Sequence, residues 1–218
     1  MQIAIPVFDR MTALDAIGPY EVLSRIPGAR VTFVASETGP KRADTDMLSV
    51  NADATLADMP DPDVILIGGG YGSRALMKDQ EMLDWLRTAH ETSQWTTSVC
   101  TGALVLAAAG ILDGLEATTY WLELETLRRF GATPVSRRFV EQGKVITAAG
   151  VSAGIDMALL LASRIAGPEV AQAIQVGIEY DPQPPFDAGT PEKAPAAIVE
   201  VVRQVERAEE QEAAAAGG

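Results

Sequence analysis

Three short stretches of this 218-residue chain hold residues whose types and spacing could do chemistry. The first is TTSVCTGALVLAAAG, Thr96 to Gly110, around the single cysteine, Cys100. A brief β-rich run enters Cys100 and a strong helix former leaves it, with Ser98 two residues before and Gly102 two after. That is the spacing of a nucleophile elbow, a tight strand-to-helix turn that only small neighbours accommodate. Such a turn lifts the sulfur into a cleft and sets it by a helix N-terminus, whose partial positive charge favours thiolate over thiol. The expectation is a cysteine with an enlarged nucleophilic fraction at neutral pH. A lone cysteine is otherwise a small buried apolar residue, and the elbow context is what separates the two readings.

A nucleophile needs a proton partner. The one histidine, His90, lies in the polar stretch His-Glu-Thr-Ser-Gln that closes the preceding helix, where a solvated helix-end role is expected. A carboxylate is the candidate instead. Asp15 stands in MTALDAIGPYEVL after Leu14 and before Ile17, at the loop-to-helix junction behind the first strand. An apolar setting of Leu14 and Ile17 would raise its pKa toward the working range. Asp15 is also of a type that starts helices and turns, so both roles stay open. The third stretch is VILIGGGYGS, Val64 to Ser73, where Gly69 and Gly70 allow close backbone approach and outward N–H groups suited to developing negative charge. It does not keep the G-x-G-x-x-G dinucleotide spacing, and no Walker sequence is present.

The elements that must position these residues follow from periodicity. Gln2 to Phe8, Arg30 to Ala35, Val64 to Ile67 and Thr96 to Val99 read as buried strands. Pro19 to Arg25, Asp79 to Thr92, Gly102 to Ala109, Ser152 to Ile165 and Glu169 to Ile178 read as helices. Val135 to Val140 and Lys144 to Ala148 flank Glu141-Gln142-Gly143 as a hairpin would. This order predicts an α/β fold, a mostly parallel sheet sandwiched by helices. In such a sheet the loops at the C-terminal strand ends gather in one cleft, so the Asp15 loop and the Cys100 elbow can face each other. One domain over residues 1–218 is expected, with an arm at 181–195 that holds five prolines and is either a stiff strap or a plain connector. A C-terminal helix over 196–212 carries the stripe Ile198, Val201, Val202 and Val205, expected to pack on the body or on a second subunit, and 209–218 should fray.

Composition excludes several classes of function. Seventeen Lys and Arg against thirty Asp and Glu give a net charge of -13, which opposes approach to nucleic acid or to an anionic membrane. No apolar run reaches the roughly 20 residues a bilayer needs, and MQIAIPVFDR lacks the basic start of a secretory signal, so a cytoplasmic protein is expected. One cysteine and one histidine leave no internal disulfide and no zinc ligand set, so neither a metal nor another cofactor is expected.

Taken together, the Asp15 loop with GPYEVL, the glycine turn, SVCTGA, GILDGLEATTYW and ITAAGVSAGIDMAL resemble the ThiJ/PfpI superfamily, related in fold to the flavodoxin-like class I glutamine amidotransferases. GIEYDPQPPFDAGTPEKA, Gly177 to Ala194, is similar to its isonitrile hydratase branch. Thr101 stands where PfpI-type members have histidine, and Tyr120-Trp121 where many close relatives have His-Trp; a basic helix-turn-helix domain of the regulator type is not expected. The resemblance implies a homodimer that hydrates a small organic isonitrile to an N-substituted formamide through a thioimidate. Cys100 would attack and Asp15 would carry the proton, with Thr101, Gly69 and Gly70 stabilising charge. Ile17, Tyr120, Trp121, Ala149 and Gly150 would line the pocket. Two alternatives stay open: a related cysteine enzyme acting on dicarbonyls, thioesters or amides, and a non-catalytic redox or ligand sensor built on Cys100.

Overall fold

A computed structural model describes the backbone of residues 1–216 and the side chains through residue 209. The chain falls into two compact units, Met1–Tyr180 and Asp181–Gly218. In the first, β1 (Gln2–Pro6), α1 (Ala13–Leu23) and β2 (Arg30–Ala35) are followed by β3 (Gly39–Arg42), β4 (Ser49–Ala52), β5 (Ala54–Thr55) and β6 (Val64–Ile67). Then come α2 (Ser73–Leu76), α3 (Gln80–Thr92), β7 (Trp95–Val99) and α4 (Gly102–Ala108). After β8 (Glu116–Ala117), α5 (Leu124–Arg128) and β9 (Thr133–Pro134), the unit ends with β10 (Phe139–Gln142), β11 (Val145–Ala148), α6 (Ala153–Ala166) and α7 (Pro168–Gly177). The second unit holds the proline-rich arm and α8 (Ala196–Ala216), four residues longer than the expected helix, with Gly217 and Gly218 outside the described residues. The side chains of 210–218, part of the stretch expected to fray, also lie outside them.

Seven strands form one sheet in the order β10-β11-β7-β6-β1-β2-β5. Every pairing in it is parallel except β10 with β11, which is the hairpin the sequence predicts, begun at Phe139 instead of Val135. A parallel sheet buried on both faces reads as continuous apolar runs instead of alternation, and Ile3 to Ile5 and Val64 to Ile67 are fully buried along their length. The helices pack in two groups, α1 with α6 and α7, and α2 to α5 together. Among the described residues no helix is long and apolar enough to cross a membrane.

Several boundaries differ from the periodicity reading, each for a local reason. Helix α1 begins at Ala13, not at Pro19, so Asp15 sits in its first turn and Pro19 lies inside it. A proline there removes the N–H that would serve the carbonyl four residues back, which is that of Asp15. The helix tolerates this because Pro19 is buried against the α6 glycine, Gly154, where a Cβ would stand 3.1 Å from the Pro19 ring. The ribbon β3–β4 and the short strand β5 carry only half-apolar patterns and were not legible in the sequence. His90 is half-buried instead of solvated, with Nδ1 2.8 Å from the Thr96 hydroxyl.

The register sets the working edge. Ile67 lies opposite Ser98, and Val99 opposite Ala148, so the chain leaves β6, β7 and β11 side by side. Chain order reverses between β1 and β6, the switch point at which open α/β sheets form their clefts. The fit at this edge admits no side chain at Gly102, where a Cβ would stand 2.2 Å from the Ile67 carbonyl oxygen and 2.8 Å from that of Gly68. Gly102→Ala should therefore lower stability by about 3 kcal/mol or more, because backbone meets backbone and neither can give. Gly177→Ala, at a position with nothing within 4 Å, should leave it unchanged or slightly higher. Urea unfolding midpoints of the two variants check the contrast.

Candidate active site

Cys100 joins β7 to α4 with φ +56, a left-handed conformation that a side chain adopts only when its surroundings enforce it. Three bonds do so. The Cys100 N–H is shared between the carbonyls of Ala148 and Ala149, each at 3.1 Å. The Cys100 carbonyl accepts the Thr119 hydroxyl at 2.8 Å. The strand-to-helix turn expected from the spacing around Cys100 is therefore present, locked from β11 on one side and from the β8 exit on the other. The backbone N–H groups of Thr101 and Val151 both donate to the sulfur. Val151 is itself held at φ +38, a rare value for a β-branched residue. Sequence reasoning missed Val151 because an unremarkable valine after Ala149-Gly150 carries no signal of its backbone direction. It missed Thr119 for a similar reason, since one hydroxyl in Ala-Thr-Thr-Tyr does not reveal which carbonyl it serves.

Asp15 is 1% exposed. Its Oδ2 accepts the Gly69 N–H at 2.8 Å. Oδ1 has no hydrogen-bond partner among the described residues, and the Cys100 thiol neighbours the carboxyl. Burial pushes the Asp15 carboxyl up to about 7, against the pull of the Gly69 N–H and the thiol, with the charge of Asp44 adding to the rise. The apolar setting is not the one expected, since Leu14 is 43% exposed. Desolvation comes from the glycine turn instead: a Cβ on Gly68 would meet the Asp15 Cβ at 2.9 Å.

The enlarged nucleophilic fraction expected of Cys100 is not what the site favours. Burial and the neighbouring Asp15 carboxylate push Cys100 well above the ordinary thiol range, outweighing the N–H groups of Thr101 and Val151. A helix end compensates a charge only partially when that charge has lost its water and faces a second anion. The resting site therefore holds a neutral thiol beside a carboxyl that titrates near neutrality.

The glycine turn also departs from its expected role. The N–H groups of Gly69 and Gly70 are not free for developing charge, because the first bonds Asp15 and the second bonds Thr101 Oγ1 at 2.9 Å. Thr101 Oγ1 also accepts from the buried Ser73 hydroxyl at 3.0 Å and donates to the Gly70 carbonyl at 3.3 Å. These bonds clamp turn to elbow, and a Cβ on Gly69 would fall 2.5 Å from the Thr101 nitrogen. Of the three expected charge-stabilising groups, only the Thr101 N–H faces the sulfur.

The expected pocket residues are brought together in part. Thr118, whose N–H bonds Thr147 Oγ1 at 2.9 Å, and Thr119 anchor the segment leading to Tyr120 and Trp121. The Tyr120 ring lies against Gly150, where a Cβ would stand 2.9 Å away, and its ring centroid is 5.9 Å from that of Trp121. Ala149 adjoins Cys100 through its carbonyl. Ile17 is half-buried on α1, two residues along from Asp15 and so toward another face of that helix. Among the described residues no three His, Cys, Asp or Glu side chains gather to hold a metal ion.

The raised midpoint of Asp15 has a consequence for stability. A carboxyl raised from 3.8 to about 7 on folding binds its proton more tightly in the native state. The stabilisation that proton carries is fully present below 3.8 and is lost as pH rises through about 7. Asp15→Asn removes this dependence, so its stability relative to wild type should improve by a few kcal/mol between pH 4 and pH 8. Thermal melts of both proteins at the two pH values check the sign.

Comparison with known proteins agrees with this architecture. Residues 1–164 match the DJ-1/PfpI family. An isonitrile hydratase of Pseudomonas putida is 42% identical over 204 residues, 94% of this chain and 89% of that one. The helix-turn-helix transcriptional regulator CdhR of Pseudomonas aeruginosa is 29% identical over 180 residues, 81% of this chain and 52% of the regulator. Among solved structures, a ThiJ/PfpI family protein from Pseudomonas syringae is similar with a TM-score of 0.89 at 36% identity, over 93% of this chain and 86% of that one. Drosophila melanogaster DJ-1beta shares the fold, with a TM-score of 0.76 at 23% identity over 83% of this chain and 98% of its own. With its sheet order, its strained cysteine elbow and a family match from residue 1 to 164, the chain belongs to the DJ-1/PfpI family.

Proposed function

We propose that the protein is an isonitrile hydratase, converting an organic isonitrile and water to an N-substituted formamide. The observation that carries this reading is the pairing of the buried Cys100 thiol, held on its strained elbow, with the buried Asp15 carboxyl. An isonitrile carbon must accept a nucleophile and then a proton at the same atom. A thiol and a proton carrier in mutual reach supply both. The 42% identity to the Pseudomonas putida isonitrile hydratase supports the same assignment.

In this mechanism Asp15 takes the Cys100 proton as sulfur attacks the terminal carbon, and returns it to that carbon to give a thioimidate. Asp15, again ionised, draws a proton from water as the water adds to the thioimidate carbon. Asp15 passes that proton to the nitrogen and takes the proton of the added hydroxyl as the adduct collapses; the carbon–sulfur bond breaks, the formamide leaves, and Asp15 returns its proton to the sulfur. The N–H groups of Thr101 and Val151 stabilise sulfur while it carries negative charge. Tyr120, Trp121, Ala149, Gly150 and Ile17 would hold the organic substituent. A neutral resting thiol disfavours the sensor alternative, because oxidation proceeds from the thiolate. A cytoplasmic homodimer is part of the same reading, and the stripe Ile198, Val201 and Val205, each more than half exposed, is the surface that supports a second copy.

The test is hydration of p-nitrophenyl isocyanide followed by absorbance. Wild type should turn over to the formamide and Cys100→Ala should not, with its circular dichroism unchanged. Turnover of methylglyoxal with none of the isonitrile would replace this reading with the dicarbonyl alternative. Since Asp15 acts as a base, kcat/KM should rise with pH through a midpoint near 7. Asp15→Asn should lower it by about 10²- to 10⁴-fold.

A further inference from the structure

Arg138 lies outside the machinery described so far, just before β10, yet its contacts reach both ends of the turn that joins β11 to α6. Its carbonyl accepts the Ala149 N–H at 3.0 Å, and the Ala149 carbonyl in turn accepts the Cys100 N–H at 3.1 Å. Its guanidinium donates through Nη2 to the Ser152 hydroxyl at 3.2 Å and through Nε to Asp156 Oδ2 at 2.5 Å. Ser152 immediately precedes α6, where a serine ordinarily turns its hydroxyl onto the helix N–H groups. Here it makes no such cap and serves Arg138 instead. Asp156 is fixed on its other oxygen by the Tyr180 hydroxyl at 2.8 Å. The backbone beside Arg138 is also tied to the elbow. The Thr118 hydroxyl donates to the Arg137 carbonyl at 3.0 Å, and the adjacent Thr119 hydroxyl donates to the Cys100 carbonyl at 2.8 Å. These contacts close a ring from Cys100 through Thr119, Thr118, Arg137, Arg138 and Ala149 back to Cys100, and the guanidinium extends that ring across the turn to α6.

We propose that Arg138 is a positioning residue for the Cys100 elbow: by holding Ala149 and Ser152 at once, it keeps the turn between them in its strained form. This rests on the isonitrile hydratase reading and adds a residue to it. Between the two held points stand Gly150 and Val151, and Val151 is at φ +38. A β-branched residue keeps such a conformation only while both its flanks are fixed. The consequence for the reaction is that the Val151 N–H stays on the sulfur as the sulfur takes up charge. A second arginine offers the comparison, because it joins the same two elements away from the elbow. Arg164, in the last turn of α6, pairs with Glu141 of β10 at 2.9 Å. The side chains of that pair are 48% and 28% exposed, against 45% and 29% for Arg138 and Asp156, so the two ties differ in place and not in kind.

The experiment measures kcat and KM for p-nitrophenyl isocyanide in Arg138→Gln, Ser152→Ala and Arg164→Gln, together with crystal structures of wild type and of the first two variants. Arg138→Gln should lower kcat about tenfold with KM within about twofold, because a donor on the sulfur counts in the transition state and not in substrate binding. Ser152→Ala loses the Nη2 contact and keeps the ion pair, so its kcat should fall about threefold. Arg164→Gln should leave both constants unchanged. Equal losses in Arg138→Gln and Arg164→Gln would overturn the proposal, since any tie between β10 and α6 would then serve. A raised KM at constant kcat, or no change in either constant, would overturn it as well. In the crystal of Arg138→Gln the Val151 backbone should leave the positive-φ region. That readout requires no turnover, so an unmoved turn counts against the proposal even if isonitriles prove not to be substrates. Should Arg138→Gln not fold, Ser152→Ala, at an exposed position, is read by the same two measurements.

Discussion

Asp15 is buried with a backbone N–H on one oxygen and the Cys100 thiol beside the carboxyl, and much of the surrounding structure is arranged around that desolvated group. An ionised carboxylate without water is unfavourable by several kcal/mol, so the group sits near the balance between its two protonation states. The balance requires α1, the glycine turn and the elbow to meet at one point. Gly68 has no room for a side chain over the Asp15 Cβ, Gly69 has none against Thr101, and Gly102 has none against the Ile67 carbonyl. Three glycines thus let three backbones approach so closely that water is excluded. The carboxyl is a proton carrier as a result of this packing, and its own flanking residues contribute little.

The elbow shows the same division between local pattern and enforced geometry. A positive φ at Cys100 and another at Val151 are both unfavourable, and the two face each other through the N–H of Val151 and the sulfur. Hydroxyls of Thr119 and Thr101, with the carbonyls of Ala148 and Ala149, hold the elbow in place. The backbone donors therefore point at sulfur before any charge develops there, so little reorganisation is needed when it does. The expectation of an enlarged nucleophilic fraction counted the helix end and not the loss of water or the adjacent carboxylate. Both of those are properties of the assembled site.

Comparison of individual residues shows where pattern was sufficient. Val64 to Ile67 and Gln2 to Pro6 read as buried parallel strands because continuous apolar runs bounded by turns have few other fates in an α/β chain. Asp79 was readable as the start of α3, and its carboxylate accepts the N–H groups of Glu81 and Met82. Pro19 misled as a helix start, since its tolerance inside α1 depends on burial against a glycine from α6, far away in the sequence. The ribbon β3–β4 escaped notice because β3 alternates between half-buried and exposed residues and β4 buries only Val50 and Ala52, too small an apolar set to stand out.

The sequence by itself determined the order of the main strands and helices, the small residues around Cys100, and the choice of Asp15 as proton partner in a chain with a single histidine. These are local properties: periodicity, turn chemistry and the identity of the groups available. Only the tertiary structure decided that the Gly69 and Gly70 N–H groups hold Asp15 and Thr101 instead of a substrate, that Val151 donates to the sulfur, and that Arg138 bonds both Ala149 and Ser152. The physical reason is that hydrogen-bond direction and desolvation depend on which backbones come within a few ångströms. That proximity is fixed by sheet order and close packing, which no local stretch of the chain contains.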